Sequence, residues 1–109
     1  MALPHALPAE AIDVLPFGPQ LAHERSVALF KSDDLEVIRM VLPAGKRMPE
    51  HKVTGGLVLH CIEGRLRVDI DSRQHALGAG QLLHLLGNVA HAVSAIEDSS
   101  ALLTLVVRR

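Results

Sequence analysis

Tryptophan and tyrosine are absent from this sequence, and Phe17 and Phe30 are the only phenylalanines among 109 residues. The shortage removes the aromatic platforms on which single-stranded nucleic acids stack, and it counts equally against a sugar-stacking surface. The single cysteine, Cys61, excludes an intrachain disulfide and a CxxC metal or redox motif, and reads as a small buried hydrophobe. Basic residues never run beyond the pair Arg108–Arg109, and the net charge is −1 with histidines neutral. A nucleic-acid surface would carry a basic stripe, so none is expected. Apolar runs such as Ala101 to Val107 fall far short of the ~18 residues that a membrane helix needs, so no membrane partner is expected. The segment MALPHALPAEAIDVLPF lacks a basic start and is broken by Pro4, Pro8 and Pro16, unlike a secretory signal. A cytoplasmic address is the expectation.

Hydrophobic residues make up 49% of the chain, too many for a disordered linker, and 11.7 kDa suits a single domain. Residues 1–20 read as an extended arm and 21–109 as a folded domain. "RLRVDID" (65–71) alternates strictly, with Leu66, Val68 and Ile70 on one face and Arg65, Arg67, Asp69 and Asp71 on the other. That is the period of a half-buried strand. "LEVIRMVL" (35–42), "GLVLHCI" (56–62), "QLLHLL" (81–86), "HAVSAI" (91–96) and "ALLTLVV" (101–107) are short, rich in Val, Leu and Ile, and bounded by turn residues. No segment has convincing helical periodicity. Short strands at regular spacing predict an all-β barrel or sandwich.

Two segments carry a more specific pattern. Gly45 is followed after five residues by His51, and Gly64 closes that segment. Gly80 is followed by His91. The pair, joined by the "RLRVDID" strand and "LGAG", resembles the two motifs of the cupin superfamily across roughly residues 35–107. The resemblance implies a single cupin-type double-stranded β-helix, or jelly-roll, barrel. In the family's first motif a second histidine and a glutamate follow, but Val53 and Leu57 hold those positions here. In the second motif Leu86, Asn88 and Ala95 replace Pro, Gly and Asn. Asn88 is the mildest departure, because Asn tolerates the left-handed backbone that a turn glycine supplies.

The lost residues are the chemical ones. His-x-His places two imidazoles on one strand face, and the resemblance implies a site of three histidines and one glutamate suited to iron, manganese, nickel or zinc. Only His51 and His91 remain as candidate metal ligands, an incomplete shell. Cys61 lies four residues past Leu57, about 13 Å along a strand, too far to complete it. Glu50 points to the opposite face, Glu63 lies further still, and only the arm (His5, Glu10, Asp13, with His23 beyond) could swing a donor across the barrel mouth. No tightly bound cofactor is expected, with weak binding of a divalent transition metal left open.

Strand parity then assigns two faces. His51, Val53, Leu57 and His91 should converge inside the barrel, walled by Met48, Leu59, Leu83 and Val93, as a mostly apolar pocket for a small-molecule ligand. Val58, His60, Ile62, Leu82, His84 and Leu86 should face outward, an apolar stripe that a homodimer would cover. His5, His23 and His75 read as surface residues. Three functions fit: a small-molecule-binding barrel centred on two histidines; a metal-dependent enzyme of the oxygenase or isomerase kind using His51 and His91; or a structural or partner-binding barrel. The first is preferred, because a concave apolar site with a few polar anchors is all it requires.

Overall fold

The structure, a computed structural model, describes residues 5–107. It is almost entirely β: β1 (Val27–Lys31), β2 (Leu35–Leu42), β3 (Arg47–His51), β4 (Leu57–Glu63), β5 (Arg65–Ile70), β6 (Arg73–Gly78), β7 (Leu82–Leu85), β8 (His91–Ala95) and β9 (Ser99–Val106). The one helical element described is a short 3-10 turn at Gly18–His23. A five-stranded sheet has the order β1-β2-β9-β4-β7 and a four-stranded sheet the order β3-β8-β5-β6, every pairing antiparallel. Two antiparallel sheets of short strands are the all-β architecture that the motifs implied.

Alternation does the building. Leu57, Leu59 and Cys61 of β4 face inward and are nearly solvent-free, while Val58, His60 and Ile62 between them are only part-buried. Leu66 and Val68 of β5, both at 0% exposure, meet them from the other sheet, with Met40, Leu77, Leu85, Val93 and Ala101 completing the core. Each such side chain contributes roughly 1.5–3 kcal/mol by leaving water.

The outer faces differ. That of the four-stranded sheet is polar: Asp69 pairs with Arg67 at 2.9 Å and with Arg47 at 3.5 Å. The other sheet presents Val58, His60, Leu82 and His84 in register, with Leu102 and Thr104 alongside.

Three strands were not evident from sequence pattern. β3 (RMPEH) contains Pro49, which removes a ladder donor. It is tolerated because β3 is an edge strand with a register shift between Met48 and His51. β6 is also an edge strand that opens on three exposed or half-buried polar residues, Arg73, Gln74 and His75, and β1 is half-buried without alternation. His75, expected at the surface, instead stands opposite inward-facing Val68 and is half-buried. The register of β6 fixes this, and one strand read alone cannot give it.

Two turns rest on backbone freedom. Gly64, at φ +82°, makes the tight β4–β5 connection, and a Cβ there would strike the Asp98 carbonyl and Ser99. Asn88 occupies the left-handed region at φ +64°, as its place in the second motif predicted.

The described part of the arm does not cross the barrel mouth. The Ala6 amide donates to the Leu29 carbonyl at 2.9 Å, and the chain then lies over the outer face of the five-stranded sheet. There Arg39 of β2, 3% exposed, donates through Nη2 to the Leu15 carbonyl at 2.9 Å and to Ser100 Oγ at 3.0 Å, under the Phe17 ring 4.0 Å away. Glu63 accepts from the Phe17 and Gly18 amides at 2.9 and 3.0 Å, and from Ser100 and Arg39. The arm's polar residues His5, Glu10 and Asp13, with His23 after it, line grooves beside β1, away from His51 and His91. No helix among the described residues is long and apolar enough to cross a membrane.

Candidate functional site

β3 and β8 bring His51 and His91 directly opposite one another, with ring centroids 4.4 Å apart and ring planes tilted by 53°. His91 is 4% exposed, whereas His51 lies near the open edge and is exposed. Each ring is steered by the carbonyl two residues before it: His51 Nδ1 lies 3.1 Å from the Pro49 oxygen and His91 Nδ1 3.0 Å from the Val89 oxygen. A carbonyl can only accept, so Nδ1 carries the proton in both hydrogen bonds. In the neutral rings Nε2 is then an uncommitted lone pair. Backbone carbonyls that fix a tautomer in this way are the usual support of a ligating imidazole.

Both rings line a small interior cavity. Leu57, expected to converge with them, and Met48, Leu59, Leu83 and Val93, anticipated as walls, line it too, joined by Met40, Val68, Leu85 and Leu103. Leu85 shares the parity of Leu83 and Val68 belongs to the alternating strand, so both had a signal in the sequence. Leu103 becomes a neighbour of the site through the β4–β9 pairing, opposite Leu59, and Met40 through the β2–β9 pairing. Val53 does not line the cavity. It follows the end of β3, packs part-buried against the core, and its carbonyl accepts from the Asn88 amide at 2.7 Å. The end of the β3 ladder at His51 breaks the period-two alternation that would have set residues 51 and 53 on one face.

The cavity's free volume is about 10 Å³, enough for one water molecule. Its lining contains no carboxylate, ammonium or guanidinium, so the imidazoles are its only strongly polar groups. The donors of the metal centre implied by the motifs are not assembled here. Among the described residues no three His, Cys, Asp or Glu side chains cluster as a metal-holding group, and Leu57 is 4% exposed among other leucines. Two imidazoles without a carboxylate do not fit a four-ligand divalent centre. Cys61 supplies no ligand to the cavity: its thiol points to the Glu63 and Gly64 carbonyls, and burial pushes it up from the usual thiol range.

On the outside, Val58 pairs with His84 and His60 with Leu82. Leu82 and Leu86 are 62% and 71% exposed, Leu86 lying just past β7, while Ile62 sits at the irregularity near the end of β4. The Arg39–Glu63 contact had no sequence signal, since its partners lie 24 residues apart and the covering arm is non-repetitive.

Comparison with known proteins agrees with this geometry. The cupin domain family matches residues 38–108, well over half the chain, and the chain belongs to that family. A conserved protein of unknown function from Streptococcus pyogenes superposes with a TM-score of 0.76 at 20% identity, covering 100% of this chain and 96% of that one. A cupin superfamily protein from Desulfitobacterium hafniense gives 0.75 at 16% identity, over 91% and 100% of the two chains. KdgF from Halomonas sp. gives 0.71 at 17% identity, over 77% and 78%. At these identities the likeness is one of fold. No curated protein matches the chain.

Proposed function

We propose that this protein is a small-molecule-binding cupin whose ligand seat is the His51–His91 cavity. The observation that carries the reading is the pair of facing imidazoles, each with Nδ1 tied to a carbonyl and Nε2 uncommitted, inside an otherwise apolar barrel. Two lone-pair acceptors select a ligand that offers donors, such as a hydroxyl or an amine. The free volume fits about one water, so a larger ligand enters by moving Met48 and Leu83. Both are half-buried, and methionine adapts readily to irregular gaps. A divalent transition metal held by the two imidazoles and waters binds weakly, because half of the family's donors are missing. The metal-dependent enzyme reading finds no third His, Cys, Asp or Glu ligand among the described residues.

The test is a titration of metal-free protein with small alcohols, amines and carboxylates, followed by NMR. The reading requires shifts at His51 and His91 with the donor-bearing fragments, and their loss in His51→Ala. Fragments that shift only outer-face residues would sink it. We further propose that the chain is a cytoplasmic homodimer joined through Val58, His60, Ile62, Leu82, His84 and Leu86. The contrast between this apolar outer face and the charged one on the other sheet supports that arrangement.

A further inference from the structure

Between the arm and β1 runs an open groove that the His51–His91 seat does not use. One hollow of about 780 Å³ lies beside Val27 and Leu29, and one of about 420 Å³ adjoins it, sharing those residues with Ile12 and Asp13. Val27, Ala28 and Leu29 line the second hollow in succession. A strand's edge presents consecutive residues in this way, whereas its face presents alternate ones. β1 is an edge strand, and among the described residues a single backbone bond, from the Ala6 amide to the Leu29 carbonyl, joins it to the arm. Unpaired N–H and C=O groups on such an edge are a template for another strand.

The charges of the groove are sorted along β1. Glu10 and Asp13 line the hollow that reaches Ala28 and Leu29, while Arg25 and Arg39 line the one at the start of the strand, where Arg39 stands opposite Val27. The ion pairs among the described residues lie elsewhere, apart from that of Arg39 with Glu63. All three described hydrogen bonds of Arg39 are made by Nη2, and its buried Nε has no acceptor. A free anion would meet Glu10 and Asp13, and a free cation would leave Nε unanswered; a molecule with opposite charges at its two ends suits both. Four residues of strand separate Arg25 from Leu29, about 13 Å. We propose that the groove binds a short extended peptide of about three residues, free at both termini, that adds to the β1 edge in antiparallel sense. Its amino terminus faces Glu10 and Asp13, its carboxylate faces Arg25 and Arg39 Nε, and its apolar side chains pack on Ile12, Val27 and Leu29. The half-buried Phe17 ring, 4.0 Å over the Arg39 guanidinium, is the group that shifts to admit the carboxylate. Each end also carries one opposing charge, Lys31 near Glu10 and Glu24 beside Arg25, which keeps the affinity low.

Calorimetry and amide NMR at low salt, with the tripeptide alanyl-leucyl-alanine as probe, test the assignment against its N-acetyl form, its C-terminal amide and free leucine. Wild type should bind the free tripeptide with a Kd of about 0.1–1 mM and shift the amides of Ile12 and Val27 to Leu29. Acetylation and amidation should each weaken binding by about tenfold, the worth of one hydrogen bond to a charged group. Arg25→Gln, at an exposed position, should weaken the free tripeptide yet leave the affinity of the amide unchanged. Arg73→Gln, exposed on the other sheet, should bind the tripeptide like wild type. The assignment is overturned if the tripeptide does not bind, if free leucine or either blocked form binds as tightly, or if Arg25→Gln weakens the amide equally. Shifts confined to His51 and His91 would overturn it as well, by placing the peptide in the barrel.

Discussion

Replacing Glu63 by alanine should cost more than replacing any exposed carboxylate. Its side chain is 15% exposed and accepts hydrogen bonds from Phe17 N at 2.9 Å, Gly18 N at 3.0 Å, Arg39 Nη2 at 3.4 Å and Ser100 Oγ. Removal leaves the Arg39 guanidinium, 3% exposed, without its ion-pair partner, with Asp13 and Glu24 acting only as weaker, more distant charges, and its Nε already lacks a partner among the described residues. Breaking a buried pair from one side costs ~3–5 kcal/mol, and the partial exposure of Glu63 favours the lower end. About 3 kcal/mol in a domain near a hundred residues lowers the thermal midpoint by about 12 °C or more. Substituting both partners, Arg39→Met with Glu63→Leu, should recover part of that loss, because it leaves no unpaired charge. The pH dependence has a definite sign. Burial alone would push the Glu63 carboxyl up, but the Ser100 hydroxyl, the two amides and Arg39 outweigh it and hold it below the usual carboxylate range. A depressed folded value means stabilisation that is present above the unfolded value, ~4.3, and is lost as the pH falls through the folded one. Urea titrations of wild type and Glu63→Gln between neutral and strongly acid pH would measure it. A loss under about 1 kcal/mol for Glu63→Ala, or equal acid sensitivity in Glu63→Gln, would refute the reasoning.

The other predictions are shorter. Gly64→Ala should destabilise by more than about 2 kcal/mol, since it combines φ +82° with collisions at Asp98 and Ser99, whereas Gly80→Ala, at φ +86° with open space around it, should cost about 1 kcal/mol. Denaturant unfolding of the two variants checks the order, and equal losses would contradict the collision. Leu57→Glu with Val53→His should be less stable than wild type without metal, because it buries a carboxylate among leucines. Nickel or zinc should restore only part of that stability, because position 53 lies off the cavity and the set stays at His51, His91 and the new carboxylate; calorimetry that finds four-ligand affinity would show that position 53 reaches the site after all. Light scattering should give a dimer at micromolar concentration and neutral pH and a monomer for Leu82→Glu, and a monomeric wild type would eliminate the interface.

Local alternation carried most of the fold. β2 ends where the pattern ended, at Leu35 and Leu42, and the inward parity of Leu57, Leu59 and Cys61 became the core wall. Information that depends on register did not show. Pro49 disguised β3, and the break after His51 took Val53 away from the cavity that its motif position implied. Met40 and Leu103 joined the cavity through the pairing of β9 with β2 and β4, strands far apart in sequence, which no single stretch encodes. The Glu63 contacts were hidden for a related reason: Ser100 lies 37 residues away and the Phe17 amide 46.

The uncommitted Nε2 lone pairs of His51 and His91 underlie the ligand seat, and the histidine tautomers test them most directly. Long-range proton–nitrogen correlation spectra of metal-free protein above neutral pH assign the protonated nitrogen of each ring. Both His51 and His91 should carry the proton on Nδ1, held by the Pro49 and Val89 carbonyls. A ring with the proton on Nε2, or two rings averaging between tautomers as in free solution, would contradict the account.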